Sequence, residues 1–195
     1  MLQQEKRRIR EERILSLLDE LTYAKREHIQ VIEKLGSDRN ANRILREMER
    51  DKSISSVRME YKVYYLSGKG KQRKGSNKGE LKRSHIHHIL MRNDLYIKLD
   101  MPRTWKKEQP VNLGEIKLIP DALYRKGQEY FFVEIDNSQT MKTNIDKIKK
   151  YKLISDALQK QTKQTPTLIW YSLSDVRKKK LREACEKSGV KHIIY

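Results

Sequence analysis

Tyr130-Phe-Phe-Val-Glu-Ile-Asp136 follows Leu118-Ile-Pro-Asp121 after a short turn. The two stretches read as neighbouring strands, because both are rich in residues with strong strand preference and a glycine-containing turn separates them. Residues two apart on a strand share a face, so Glu134 and Asp136 lie on the same side of the sheet. The pairing predicts that Asp121 converges with both of them at one sheet edge.

This acidic cluster is suited to a hard divalent cation. Carboxylate oxygens are preferred ligands of Mg²⁺ and Mn²⁺, so Asp121, Glu134 and Asp136 are expected to hold one of these ions as cofactor. A zinc site is disfavoured, because His85 and His88 share a helical face but lack a cysteine or acid nearby. The alternative interpretation is that the acidic strand ends simply face water.

The chain as a whole is strongly basic. It has 195 residues, with 44 Lys+Arg against 26 Asp+Glu and a formal charge of +18. Such a surface attracts phosphate backbones, so double-stranded DNA is the expected partner. No apolar run approaches the roughly 20 residues that span a bilayer, and the N-terminus lacks an apolar signal core. We therefore expect a cytoplasmic protein that does not bind membranes.

Residues 1–66 have the pattern of a winged helix-turn-helix domain. The predicted helices cover residues 6–21, 22–35 and 39–51, and the predicted strands cover residues 53–57 and 61–66. Thr22 is the expected N-cap of the second helix, and Ser37 and Asp38 offer a cap for the third. Three helices followed by a hairpin describe a winged helix, whose third helix enters the major groove of DNA.

One face of the third predicted helix carries DNA-reading side chains. At 100° per residue its arginines lie together, opposite the apolar residues. Arg and Asn are well shaped to bond the edges of G and A bases. The candidate DNA-contacting residues of this helix are Arg39, Asn40, Asn42, Arg43, Arg46 and Arg50. The alternative is a solvated face whose arginines pair with Glu47 or Glu49.

Residues 67–79 predict a flexible basic linker. They include four glycines and no acidic residue, a composition typical of flexible segments. The basic side chains expected to bind phosphates there are Lys69, Lys71, Arg73 and Lys74. We expect these contacts to be independent of DNA sequence.

Residues 80–195 predict an α/β domain in which helices cover a sheet. The predicted helices cover residues 81–92, 141–158 and 175–187, and the predicted strands cover 113–118, 122–124, 130–135, 166–172 and 192–195. The fold class expected for the whole chain is therefore α+β.

Four short motifs of this half carry a family resemblance. They are His88-Ile-Leu, Pro120-Asp121, Glu134-Ile-Asp136 and Lys147-Ile-Lys-Lys-Tyr151. They resemble motifs of the PD-(D/E)xK nuclease-like superfamily, and the whole chain resembles the plasmid replication-relaxation family, in which a winged helix precedes such a domain. The resemblance implies a restriction-endonuclease-like domain with a mixed sheet over residues 80–195. It also implies a role in replication or transfer of plasmids or other mobile elements, with replication or transfer proteins as partners.

The resemblance further implies that Asp121 and Glu134 are metal ligands and that a catalytic lysine stands two residues after Glu134. Asp136 occupies that position, and an aspartate cannot supply the positive charge that a lysine brings to a phosphate. Lys147 or Lys150 is the expected substitute, so the candidate catalytic set also includes these two lysines. The alternative is a fold that has lost cleavage and has kept only DNA binding.

Three functions follow from these features. The favoured one is a DNA-binding accessory or regulatory protein of a mobile element. The second is a Mg²⁺- or Mn²⁺-dependent endonuclease or nickase, and the third is a protein-interaction adaptor whose winged helix binds a partner protein. A homodimer is also expected, since winged-helix proteins often bind two half-sites.

Overall fold

The chain forms two compact units in a computed structural model that describes residues 1–114, 116–137 and 139–195. Unit 1 covers Met1–Ile97 and unit 2 covers Lys98–Tyr195. The described residues form seven helices and ten strands, including a mixed five-stranded sheet, which confirms the predicted α+β class. No helix within these ranges is long and apolar enough to cross a membrane.

Unit 1 combines helices with a three-stranded antiparallel sheet. Its helices are α1 (Leu2–Leu21), α2 (Arg26–Ile32), α3 (Asp38–Arg50), α4 (Gly68–Lys74) and α5 (Arg83–Lys98, whose last residue belongs to unit 2), and its strands are β1 (Ala24–Lys25), β2 (Ile54–Arg58) and β3 (Lys62–Leu66). β3 lies between β1 and β2. The core includes Leu15 and Leu18 of α1, Ile29 of α2 and Leu45 of α3.

The three predicted helices and the hairpin of unit 1 are confirmed, with one correction. Ser37 caps α3 as predicted, because its hydroxyl accepts a hydrogen bond from the Asn40 amide. Thr22 does not cap α2. It ends α1 in the left-handed region, with φ 68°, and α2 begins only after Lys25. The short strand β1 lies between them because it pairs with β3, a tertiary contact that no local signal shows.

Residues 67–79 differ from the predicted flexible linker. Gly68–Lys74 form α4, with the Ser67 hydroxyl accepting a hydrogen bond from the Gly70 amide. Gly70 is buried because α4 lies directly against the backbone of Ser53. The division between the two units falls after Ile97 and not within this segment.

The packing of α4 generates a stability prediction. A Cβ at Gly70 would overlap the carbonyl oxygen of Ser53, whereas a Cβ at Gly68 would meet no atom within 4 Å. Gly70→Ala is expected to lower the free energy of unfolding by about 1–3 kcal/mol through overpacking. The control Gly68→Ala is expected to be neutral or to stabilise by up to about 1 kcal/mol. Urea denaturation checks both, and equal stability of the two variants would contradict the close contact.

Unit 2 is a sheet covered on one face by two helices. Its helices are α6 (Met141–Thr162) and α7 (Asp175–Lys187), and its strands are β4 (Lys106–Lys107), β5 (Val111–Leu113), β6 (Ile116–Leu118), β7 (Ala122–Lys126), β8 (Glu129–Asp136), β9 (Thr167–Ser172) and β10 (His192–Ile194). The main sheet has the order β10-β9-β8-β7-β4, with β8, β9 and β10 parallel and β7 antiparallel to β8. β5 and β6 form a separate antiparallel pair.

The strands and the last two helices predicted for residues 80–195 agree with this architecture, and α7 has the predicted bounds. The helix predicted over 81–92 is α5, which belongs to unit 1 except for its last residue, so the division between the units differs from the predicted start of the second domain at residue 80. The strand predicted over 113–118 includes residue 115, which lies outside the described residues, and β5 and β6 stand on either side of it.

The alternation of side chains along β8 places its acidic residues on one face of the sheet. Phe132 packs with Trp170, Ile148 and Leu181 in the core under α6 and α7. Glu134 and Asp136 follow Phe132 at intervals of two, so they lie on the same helix-covered face. Both side chains are buried there.

Candidate functional site

The exposed face of α3 presents three side chains that bond to no other part of the described chain. They are Arg39, Asn42 and Arg46. Positions three and seven residues apart fall on one side of a helix, so the three side chains form one surface. The opposite side of α3 is fixed in the core by Ile44 and Leu45. This surface is therefore rigidly placed, basic and open to a polyanion.

The other predicted residues of α3 have partners within unit 1. The Arg43 guanidinium donates to Glu47 at 2.7 Å and to the side-chain oxygen of Asn40 at 2.9 Å. Asn40 in turn donates to the carbonyl oxygen of Leu35 at 2.7 Å. Arg50 lies 3.9 Å from the Asp51 carboxylate. The pairing with Glu47 that we considered as an alternative thus applies to Arg43.

The basic residues predicted to bind phosphates around α4 differ in their contacts. They are Lys69, Lys71, Arg73 and Lys74. Lys69 donates to a backbone carbonyl at 3.1 Å, Arg73 pairs with Glu12 of α1, and Lys74 donates to the Ser16 hydroxyl at 2.8 Å. The contacts of Arg73 and Lys74 hold α4 against α1, whereas Lys69 contacts the carbonyl of Asp51 at the end of α3. Phosphate binding by this group stays a prediction.

Glu134 is the buried centre of the acidic cluster in unit 2. One of its carboxylate oxygens accepts a hydrogen bond from Lys147 Nζ at 2.6 Å, and the other accepts from the Tyr151 hydroxyl at 2.7 Å. Burial raises the pKa of Glu134 to about 8, and the neighbouring Asp121 carboxylate adds to the rise, while Lys147 and Tyr151 lower it. Glu134 therefore takes up a proton at a higher pH than an ordinary carboxylate does.

Asp121 and Tyr151 complete this cluster. Asp121 precedes β7, and one of its carboxylate oxygens accepts a hydrogen bond from the Ile135 amide at 2.7 Å, which places it beside Glu134. Burial raises the pKa of Tyr151 well above its ordinary value, and the Glu134 carboxylate raises it further. The Tyr151 hydroxyl therefore stays protonated and acts as a donor to Glu134.

Asp136 belongs to a different set of bonds. Arg177 Nε of α7 donates to it at 2.6 Å, and the side chains of Asn144 and Ser172 donate at 2.7 and 3.1 Å. Burial acts to raise the pKa of Asp136, but the bonds from Arg177 and Asn144 outweigh it, so this pKa lies below its ordinary value. Asp136 therefore forms an ion pair with the Arg177 guanidinium.

The predicted convergence of three carboxylates on one ion is not formed. Across residues 1–114, 116–137 and 139–195, no group of three or more His, Cys, Asp or Glu residues is placed to hold a metal ion. Asp136 does not join Asp121 and Glu134 because Arg177 bonds to both of its oxygens. The side chains present do not fit a three-carboxylate site for Mg²⁺ or Mn²⁺.

Lys147 is the lysine that the structure brings to the cluster. Lys150, the other predicted substitute, is exposed and bonds to no described residue. Sequence reasoning missed Asn144, Tyr151 and Arg177. The first two were detectable, because Asn144, Lys147 and Tyr151 recur at the three- and four-residue spacing of one helical face.

Comparison with known proteins assigns the chain to one family. A family model described as replication-relaxation matches residues 15–168, so the chain belongs to the replication-relaxation family. No curated protein and no solved structure matches the chain. Membership confirms the resemblance seen in the sequence and suggests a role in replication or relaxation of a plasmid or mobile element.

The raised pKa of Glu134 generates a prediction about stability and pH. The folded state keeps this proton up to about pH 8, whereas the unfolded chain releases it near 4.5. The stabilisation is therefore complete below the unfolded pKa and is lost as pH rises toward the folded pKa. Relative to Glu134→Gln, which cannot ionise, the wild-type free energy of unfolding is expected to fall as the pH rises from about 5 to about 8.

Urea denaturation of both proteins across this pH range measures the difference. Glu134→Gln is the matched control because it keeps the size of the side chain and removes only the titration. Parallel stability curves for the two proteins would contradict the raised pKa.

Proposed function

We propose that the protein is a DNA-binding accessory or regulatory protein of a plasmid or other mobile element, acting in replication, transfer or their control. The observation that carries this proposal is the surface of Arg39, Asn42 and Arg46 on α3. Side chains that already bond to their neighbours are held in place, whereas these three are exposed and form no hydrogen bond or ion pair in the described chain. The chain's charge of +18 favours the same polyanionic partner.

We propose that residues 1–66 form a winged helix-turn-helix that binds double-stranded DNA. The order α1-β1-α2-α3-β2-β3 and the antiparallel sheet β1-β3-β2 support this assignment. In such a domain the third helix enters the major groove. Here that helix is α3, and arginine and asparagine are the side chains that bond G and A edges there.

We propose that unit 2 is a restriction-endonuclease-like domain that binds DNA without cleaving it. The antiparallel β7–β8 pair, followed by α6 and the parallel strand β9, supports the fold. The position of Asp136 argues against cleavage. It stands where the resembled nucleases carry a lysine, and its carboxylate bonds to Arg177.

The α3 surface generates a binding prediction. Arg39→Ala and Arg46→Ala are each expected to cost about 1–3 kcal/mol of affinity for a preferred duplex, because each removes an arginine that contacts a base edge. Fluorescence anisotropy with a labelled duplex measures the loss.

The matched control for this prediction is Arg8→Ala. Arg8 is an exposed arginine on α1 that pairs with Glu5 at 2.9 Å, so its removal lowers the net charge by the same amount. Equal affinities of the Arg39, Arg46 and Arg8 variants would show that charge alone governs binding and that α3 does not read DNA.

A second candidate function is a metal-dependent DNA endonuclease or nickase of the PD-(D/E)xK type. The contact of Lys147 with Glu134 favours it, because an ammonium beside the carboxylates supplies the positive charge that Asp136 cannot. Metal binding at Asp121 and Glu134 requires Lys147 to give up its bond to Glu134. We therefore propose that any Mg²⁺ or Mn²⁺ binding there is weak.

Supercoiled plasmid distinguishes the two functions. We expect wild-type protein to leave the plasmid intact with Mn²⁺ and without it, while gel shift at the same protein concentration shows binding. Nicking by the wild type that is lost in both Glu134→Gln and Lys147→Ala would make the nuclease the better account. Nicking that survives in both variants would point to contamination and would leave the binding function in place.

A further inference from the structure

A cleft of about 720 Å³ opens on unit 2 at the end of α5 and the edge of the main sheet. Its walls include Arg103, Tyr124, Arg125, Phe131, Ile193 and Tyr195. Tyr124 and Phe131 are paired across β7 and β8, and Phe131 precedes Phe132 by one residue. The cleft therefore lies on the sheet face opposite Glu134 and is separate from the acidic cluster.

One wall of the cleft is aromatic. The rings of Tyr124 and Phe131 are stacked with centroids 4.7 Å apart and planes inclined by 6°. Trp105 stacks on Tyr124 with a centroid distance of 5.8 Å. Tyr195 is partly exposed at the cleft, with the Lys98 ammonium 5.2 Å from its ring centroid. The Lys98 ammonium thus lies over one face of the Tyr195 ring, and the other face of the ring is left for a ligand.

The rim of the cleft is basic. Its exposed cations are Lys98, Arg103, Arg125 and Lys126. None of the four forms an ion pair with a carboxylate in the part of the chain that the structure describes, and Asp100 is the acidic residue that lines the cleft. The Thr104 hydroxyl holds the backbone of Arg125 by accepting from its amide and donating to its carbonyl, both at 2.8 Å. Arg125 Nε donates to the Gly127 carbonyl oxygen at 2.7 Å, and its guanidinium lies over the Tyr130 ring. The rim is therefore held at a fixed position, and the charges of Arg103 and Lys126 have no carboxylate partner in the described chain.

We propose that this cleft binds single-stranded DNA, with one base stacked on Tyr195 and the adjoining phosphates bonded to Arg103, Arg125 and Lys126. An aromatic ring beside cations that have no carboxylate partner matches the two parts of a nucleotide, since every base has a π-face and every phosphodiester linkage has a negative charge. The volume of the cleft is in the range of pockets that bind small molecules, so it is large enough for one nucleotide. A base in duplex DNA is stacked on both faces, so the site selects an unpaired strand.

This site is distinct from the duplex-binding surface of α3. It gives the protein a second mode of DNA binding, in which one unit contacts the duplex and the other holds a strand that has been opened. Its test does not depend on the outcome at α3, because the two ligands are different.

The full-length protein is tested by fluorescence anisotropy with a short labelled oligothymidylate. Tyr195→Leu removes the flat ring but keeps apolar bulk, and it is expected to weaken binding about 5- to 100-fold. Tyr195→Phe keeps the ring and is expected to bind like the wild type. Arg103→Ala is expected to reduce the dependence of affinity on salt concentration.

Lys179→Ala is the matched charge control. Lys179 is an exposed lysine of α7 that bonds to no described residue, and its removal is expected to leave oligothymidylate affinity near that of the wild type. Wild-type affinity in both Tyr195→Leu and Arg103→Ala would overturn the proposal. Because Arg103 is exposed, its variant decides the question even where Tyr195→Leu fails to fold.

Two further ligands, a free nucleotide and duplex DNA, test whether the cleft prefers single-stranded DNA. Free thymidine monophosphate is expected to compete poorly, because it offers one phosphate instead of several. Competition as strong as that of the oligonucleotide would overturn the assignment to a strand. Duplex affinity is expected to be the same in wild type and Tyr195→Leu, and an equal loss for duplex and single strand would show that the cleft does not select unpaired DNA.

Discussion

The burial of Glu134 and Asp136 on one face of β8 is the constraint on which the rest of unit 2 depends. A buried carboxylate without a partner costs several kcal/mol, so each needs compensating groups. Lys147 and Tyr151 of α6 bond to Glu134, while Arg177 of α7 bonds to Asp136. These bonds fix both helices on the sheet. They also divide the predicted acidic cluster into Glu134, which is bonded to α6, and Asp136, which is paired with Arg177 of α7, so that Asp136 is not available as the third ligand of a metal site.

In unit 1, arginines that form ion pairs stabilise the fold, whereas arginines without an ion pair are the candidates for binding a ligand. Arg73 pairs with Glu12 and joins α4 to α1, and Arg43 bonds to Glu47 within α3. Such pairs contribute to local stability by small amounts at the surface. Arg39 and Arg46 have no partner among the residues that the structure describes. A ligand that binds them replaces water without breaking a bond inside the protein, which supports the proposal that this face binds DNA.

Much of the fold was predictable because its signals are local. Ser37 begins α3 through a cap, and the apolar pattern of α6 and α7 is complete within each helix. The errors arose where a distant residue decides the structure. β1 exists because it pairs with β3, and the glycine-rich α4 is packed against Ser53. Arg177 lies 41 residues from Asp136, so no local sequence pattern predicted this ion pair. The pair is the reason why Asp136 does not join Asp121 and Glu134 in the predicted metal site. The contact of Lys147 with Glu134 was within reach, since the helix follows the strand directly.

The proposed function requires that α3 recognises the sequence of duplex DNA. Selection of bound duplexes from a library of random sequence tests it most directly, because the experiment assumes no target. We predict that wild-type protein enriches a common motif and that Arg46→Ala loses preference at particular positions of it while the rest is retained. Enrichment of no motif by the wild type, together with undiminished retention of random duplexes, would show binding through phosphates alone and would contradict the account.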